Sequence, residues 1–248
     1  MYYYRSVKDD SEVENKLLEY ASSKMLQNRG FPEYFKRIRR EGLVWNHKRV
    51  ERVYKKLKMN KRRNRKRRIP NPEKQPLVQP IFPNITWSMD FMEDRLENGR
   101  KVRILNIIDD FNREALLMQA EFSYPSRRVI DLVKQTIEWR GKPENIRTDN
   151  GTEYIAHIFE KFCEDNGINH IKIQKGKPTQ NSYIERFNGS FRKDILDAFI
   201  FQTKDEIQGS ANEWMEDYNN HHPHESLGDK PPIEFSKAVK RGAPLLTA

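Results

Sequence analysis

The chain has 248 residues, 36% hydrophobic and 33% charged, which supplies apolar material for one sizeable core and a small satellite but not for two large domains. No apolar run approaches the roughly 18 residues needed to span a bilayer, and the opening MYYYRSVKDD lacks the apolar stretch of a signal peptide, so a soluble, cytoplasmic protein is expected. The single cysteine, Cys163, excludes an intramolecular disulfide and any multi-cysteine zinc site.

The formal net charge of +10 is unevenly spread. Residues 1–68 hold 22 Lys/Arg against 8 Asp/Glu, a net of +14, and the remaining residues hold 24 against 28, a net of −4. A basic lobe joined to a mildly acidic domain suits a protein that grips a polyanion with one part and works on it with another.

Three helical patterns open the chain. Ser11 to Gln27 carries apolar residues at Val13, Leu17, Leu18, Ala21 and Met25 and stops before Asn28-Arg29-Gly30. Tyr34 to Glu41 follows, closed by Gly42, and Asn46 then caps a third helix through Val50, Val53, Tyr54 and Leu57. Three helices with tight turns predict a small all-α, helix-turn-helix-like lobe. Between Lys55 and Arg68, ten of fourteen residues are Lys or Arg and none is acidic, a density that points to phosphate contact through Arg62, Arg63, Arg65, Lys66, Arg67 and Arg68. The Pro-rich IPNPEKQPLVQPIFPN cannot be regular helix or central strand. The expected organisation is therefore a DNA-binding lobe over residues 1–68, a linker over 69–83 and a main domain over 84–248.

Beyond the linker the pattern turns to β. Ile85 to Met92, Val102 to Asp109 and Glu114 to Phe122 predict an antiparallel meander. A helix from Ser126, its expected N-cap, to Arg140 leads to a short strand, Asn145 to Asp149; then come a helix (Ile155 to Asn166), a strand (Ile168 to Ile173), a Gly/Pro/Gln/Asn loop, a helix (Asn181 to Ala198) and a last helix (Lys204 to Asn220). Three strands, helix, strand, helix, strand, helix is the order of the ribonuclease H-like α/β fold, a mixed five-stranded sheet flanked by helices.

Three acids stand where that order would bring them together. Asp90 lies inside the first strand among Trp87, Met89, Phe91 and Met92, where a charge is costly without a partner or a metal. Asp149 ends the fourth strand, and Glu185 lies in the first half of the Asn181 to Ala198 helix, with 35 residues between the two. Clustered carboxylates with oxygen-only ligation favour Mg²⁺ or Mn²⁺. Two such ions, roughly 3.5–4 Å apart, can bind the attacking and leaving oxygens of an in-line phosphoryl transfer.

The stretches WSMDF, RTDNGTEY, QKGKPTQNSYIERFNGSFR and EWMEDYNNHHPHESLG resemble the integrase-core (DDE) transposases of bacterial insertion sequences, in the family whose enzyme is encoded in two overlapping reading frames. The likeness runs upstream through GLVWNHKRVERVYKKL and covers nearly the whole chain. It implies that Asp90, Asp149 and Glu185 are the catalytic triad binding two divalent metals, Mg²⁺ with Mn²⁺ able to substitute, and that the enzyme nicks the 3′ ends of a mobile element and transfers them to target DNA. It also implies a homo-oligomer on DNA and association with the upstream-frame helix-turn-helix product. Two other readings stay open: a non-catalytic DNA-binding frame product that represses or competes, and a ribonuclease H-like nuclease on RNA–DNA hybrids. A retroviral-type zinc domain would need paired His and Cys, which one cysteine does not supply.

Helical spacing sets residues 185, 188, 189 and 192 on one face, so Asn188 and Arg192 are expected to meet DNA beside Glu185. Lys175, Lys177, Gln180 and Asn181 in the preceding loop are further donors suited to phosphate and base contacts. Asp109 and Asp110 are read as turn and capping groups. His221, His222 and His224, around Pro223, make a poor zinc chelate and are expected to be structural or DNA-facing.

Overall fold

In the computed structural model, which describes residues 9–60, 77, 79–149, 151, 154, 157–173 and 178–240, the two contrasting compositions fold as two units, Met1–Ile69 and Pro70–Ala248. The expected linker lies largely outside the described residues. None of the helices described is long and apolar enough to cross a membrane.

The first unit is built from α1 (Ser11–Ser22), α2 (Phe31–Arg40) and α3 (His47–Lys56). Val13, Leu17, Tyr20, Tyr34, Ile38, Val50, Val53 and Tyr54 bury together, following the predicted periodicity. Asn46 caps α3 as expected, its side chain accepting the Lys48 N–H at 2.9 Å. Helix α1 stops five residues earlier than the Gln27 expected: Ser22 Oγ donates back to the Glu19 carbonyl at 2.8 Å, and Ser23 turns extended. Many of the acids of this unit are already neutralised, for instance Asp10 by Arg52 at 2.7 Å and Glu51 by Lys55 at 2.7 Å, so its excess of positive charge is not cancelled from within.

The second unit holds β1 (Thr86–Arg95), β2 (Lys101–Asp109) and β3 (Ala115–Glu121), then α4 (Ser126–Arg140), β4 (Asn145–Thr148), α5 (His157–Asp165) and β5 (Asn169–Lys172). Helices α6 (Ser182–Phe191), α7 (Lys204–Asn220) and α8 (Pro232–Lys240) complete it. The five-stranded sheet has the order β3-β2-β1-β4-β5; β1, β2 and β3 are antiparallel neighbours, and β4 pairs in parallel with both β1 and β5. This is the mixed sheet flanked by helices of the ribonuclease H-like fold.

Strand periodicity divides the sheet into two chemically different faces. Trp87 and Met89 of β1 and Leu105 and Ile107 of β2 bury with Val129 and Val133 of α4 and Phe159 and Phe162 of α5 in one apolar cluster. The alternate positions Ser88, Asp90 and Asn106 point to the opposite face, where α6 lies: Asn188 on that helix hydrogen-bonds both Asp90 and Asn106. Helix α7 closes the exposed edge of β3 with side-chain amides. Gln208 accepts from the Ala120 N–H at 2.7 Å and donates to the Met118 carbonyl at 2.9 Å, and Asn219 does the same for both backbone groups of Ala115. These bonds satisfy edge groups that would otherwise template pairing with another strand.

Three local details differ from expectation. Pro125, not Ser126, is the N-cap of α4; its extended backbone leaves its carbonyl to accept the Arg128 N–H at 2.8 Å. The helix expected over Asn181 to Ala198 is α6 followed by a π-helical turn, Arg192–Leu196, which buries Asp194, Ile195 and Leu196. Helix α7 is not the last: α8 follows, with Pro232 as its first residue and Phe235 packed on Phe111.

Candidate active site

Asp90 occupies the middle of β1 because the strand presents it on the face that α6 covers. The parallel register of β1 and β4 pairs Ser88 with Arg147. Carried two residues further, it sets Asp90 level with Asp149, which immediately follows β4; neighbouring strands lie about 4.8 Å apart. Asp149 opens a turn, its Oδ1 accepting the Gly151 N–H at 2.9 Å. Glu185 stands in the first turn of α6, where the helix dipole favours a carboxylate.

The other two acids act on Asp90. Burial pushes the Asp90 carboxyl up to about 6, and the charges of Asp149 and Glu185 act in the same direction, against the Phe91 N–H and the Asn188 amide. Burial also raises the Glu185 carboxyl. Each oxygen of Asp90 has one donor: Phe91 N–H to Oδ1 at 2.9 Å and Asn188 Nδ2 to Oδ2 at 2.8 Å. Asn188 is held in turn by Asn106, whose amide donates to Asn188 Oδ1 at 2.7 Å.

Among the described residues no Lys or Arg forms an ion pair with any of the three acids. The result is an oxygen-only donor set short of positive charge, the chemistry a hard divalent cation fits. No three His, Cys, Asp or Glu side chains among the described residues converge closely enough to form a ready-made metal cage.

Asp109 and Asp110 are placed differently from that set. Asp109 accepts the Asn84 N–H and the Phe111 N–H, each at 2.9 Å, and so organises a turn as expected. Asp110 is buried at the end of β2, where it accepts from Ser88 Oγ at 2.7 Å and pairs with Arg147, with Arg113 adding charge nearby. Asp110 is thereby a buried ion-pair partner, which the capping role expected from sequence does not describe. Burial raises its carboxyl all the same.

The expected DNA-facing residues separate into three groups. Lys175, Lys177 and the run Arg62, Arg63, Arg65, Lys66, Arg67, Arg68 lie outside the described residues. Asn188 and Asn181 are buried, so neither is a solvent-facing donor: Asn188 is engaged inside the protein by Asp90 and Asn106, while Asn181 Oδ1 has no hydrogen-bond partner among the described residues. Gln180 is half-buried in the 3-10 turn before α6. Arg192 begins the π-helical turn, donates to the Glu93 carbonyl at 2.7 Å and stands 3.9 Å from Asp197, while keeping about 40% of its side chain exposed. Asn106 was not singled out from sequence, although an asparagine inside the apolar run RILNIID is the signal that marked it. His222 stacks on Tyr218 with ring centroids 5.5 Å apart, and His224 meets both rings edge-on.

Residues 82–178 match a family model described as "Integrase core domain", and residues 166–232 match a second model of the same description. The chain is 38% identical over 191 residues to the insertion element IS476 uncharacterized 39.2 kDa protein of Xanthomonas euvesicatoria, covering 77% of this chain and 55% of that protein. It is 38% identical over 199 residues to the insertion element IS407 uncharacterized 31.7 kDa protein of Burkholderia multivorans, covering 80% and 72% respectively. The chain thus spans little more than half the length of the first relative. Among solved structures, a simian T-cell lymphotropic virus intasome in complex with PP2A regulatory subunit B56 gamma contains a chain matched with a TM-score of 0.54 and 17% identity, over 83% of this chain and 70% of that one. That likeness is one of fold.

Proposed function

Because the chain belongs to the integrase-core transposases of bacterial insertion sequences, we propose that it nicks the 3′ ends of a mobile element and joins the freed 3′-hydroxyls to target DNA. The observation that carries this reading is the register that sets Asp149 level with Asp90 on the adjoining strand, with Asp149 and Glu185 near enough for their charges to act on the Asp90 carboxyl.

Asp90, Asp149 and Glu185 are the residues that would hold two Mg²⁺ ions, with Mn²⁺ able to substitute. When bound, the ions supply Lewis-acid polarisation of the scissile phosphate and a lowered pKa for the attacking hydroxyl. The protein's share is positional. The Phe91 N–H and the Asn188 amide fix the carboxylate of Asp90 while leaving each oxygen a further lone pair. Without metal, Asp90 takes up a proton below about pH 6, which a cation must displace, so metal binding weakens as the pH falls.

The basic first unit and the run through Arg68 supply affinity for the DNA backbone. Partners under this reading are element ends, target DNA, further copies of the chain on DNA and the upstream-frame helix-turn-helix product. Labelled element ends and an RNA–DNA hybrid, offered in parallel with Mg²⁺, test it. Nicking at the 3′ ends of the element supports the reading, and preferential cutting of the hybrid contradicts it.

A further inference from the structure

The face of α6 turned away from Asp90 borders a cavity of about 60 Å³. Its polar lining comes from Arg113, Arg186, Ser190, His222, His224 and Ser226, and the described residues that line it include no carboxylate. Tyr183, Phe187 and Tyr218 complete the wall. A concave site furnished with two guanidinium residues, two imidazoles and the Ser226 hydroxyl is chemically complementary to an oxyanion.

The lining is built. Arg113 is buried, stacks on the Tyr183 ring with its guanidinium carbon 3.4 Å from the centroid, and donates to the Asp110 carbonyl. Tyr183 is itself fixed by its hydroxyl, which donates to the Leu77 carbonyl at 3.0 Å. Ser190 donates to the Arg186 carbonyl at 3.1 Å, which fixes its side chain against the turn that carries Arg186. Arg186 is exposed, and its guanidinium has no hydrogen bond or ion pair among the described residues. Arg186 follows Glu185 directly on α6, so one helix carries a carboxylate of the acidic set and, on another side, a guanidinium of the cavity.

We propose that this cavity receives a backbone phosphate of the DNA on which the Asp90, Asp149 and Glu185 carboxylates act. The HHPHESL segment thereby acquires a role: it forms the far wall of a phosphate seat that fixes the strand's register on α6. The proposal rests on the reading of the chain as a DNA-transferring enzyme. The source of the phosphate is the nucleic acid, and free phosphate is the competing occupant.

The test is duplex DNA binding by the full chain across a salt series, for wild type, Arg186→Ala, Arg186→Lys and Ser226→Asp, with far-UV circular dichroism and melting to verify folding. Arg186 and Ser226 are both exposed, so all three variants are expected to fold. Arg186→Ala should lower affinity and reduce the slope of log K against log salt by up to about 0.9, the value for one phosphate of B-DNA left without its cation. Arg186→Lys should recover most of the slope but less of the affinity, and Ser226→Asp should weaken binding more than Arg186→Ala does. Affinity and slope equal to wild type in folded Arg186→Ala and Ser226→Asp overturn the seat. A melting increase in inorganic phosphate that requires Arg186, with DNA affinity unchanged in Arg186→Ala, identifies a free-anion pocket and also overturns it. Absence of DNA binding by the wild-type chain overturns the functional reading and the seat together, and is distinguishable because no variant is then needed.

Discussion

Asn188 of α6 donates its amide N–H to the Asp90 carboxylate in the middle of β1, 2.8 Å away, across a sequence separation of 98 residues. The bond ties the helix that carries Glu185 to the strand that carries Asp90. Asn106 fixes the other end of that amide.

Replacing Asn188 by Ala should therefore act on Asp90 rather than on DNA affinity. A hydrogen bond to the charged form lowers a carboxyl pKa, and its loss raises it. The acid limb of the pH–rate profile should move to higher pH, with a stability loss of about 1–3 kcal/mol from the partners left unsatisfied. Asn188→Asp should be worse, since it adds a fourth acid. A profile that keeps its wild-type acid limb in Asn188→Ala would show that the amide has no hold on Asp90.

The raised carboxyl of Asp90 makes a stability prediction of the opposite sign to activity. Its pKa is about 6 when folded, against 3.8 as the ordinary value, so the folded state favours the protonated form. The stabilisation this gives is complete below about pH 3.8 and is lost as pH rises through about 6. At neutral pH without divalent cations, Asp90→Asn should thus be more stable than wild type by up to roughly 2–3 kcal/mol, at 1.36 kcal/mol per unit. The gap should close toward pH 4. Mg²⁺ should raise the melting temperature of wild type and not of the variant. Equal stability of the two proteins at pH 7 in EDTA would contradict the burial account of Asp90.

Asp110 should behave in the reverse manner although burial raises its carboxyl too. Removing it as Asp110→Ala leaves Arg147, nearly buried, without its partner, a loss on the order of 3–5 kcal/mol. The double substitution Asp110→Asn with Arg147→Met should regain much of that loss. Urea denaturation of the two variants measures both effects, and a stable single variant would remove Asp110 from its structural role.

The helical lobe, the meander and the alternation of later helices and strands were readable from periodicity, because apolar residues recur at the spacing each element demands, and their order along the chain pointed to the five-stranded sheet. So was the neighbourhood of Asp90 and Asp149, since strand order dictates which ends lie together. What the helix stripe at 185, 188, 189 and 192 faces could not be read: spacing puts residues on one side but does not say whether that side meets solvent or a strand. Asn188 turned inward because Asn106 and Asp90 stand opposite it. Arg192 meets β1 as well, at the Glu93 carbonyl, and the π-helical turn that begins there is announced by no propensity in RKDIL. Helix α8 was overlooked because Pro231-Pro232 reads as a breaker, although proline is well suited to a first helical position.

The basic run through Arg68 is expected to dominate nonspecific affinity. Neutralising Arg62, Arg63, Arg65, Lys66, Arg67 and Arg68 together should reduce the salt slope by up to about 0.9 for every DNA phosphate the run would otherwise neutralise. An unchanged slope would identify the run as a solvated segment. Strand transfer per bound complex should be little altered, because these residues contribute no ligand to the acids.

The most direct measurement is a gel assay of nicking and strand transfer on labelled element ends, comparing wild type with Asp90→Asn, Asp149→Asn and Glu185→Gln in Mg²⁺, Mn²⁺ and EDTA, with DNA binding measured alongside. The account predicts products with wild type in Mg²⁺ or Mn²⁺, none in EDTA, and none from any of the three variants, while each variant still binds DNA. Cleavage by wild type in EDTA, or more than a few per cent of wild-type activity in any one variant, would contradict the assignment of Asp90, Asp149 and Glu185 as the carboxylates that hold the metal ions.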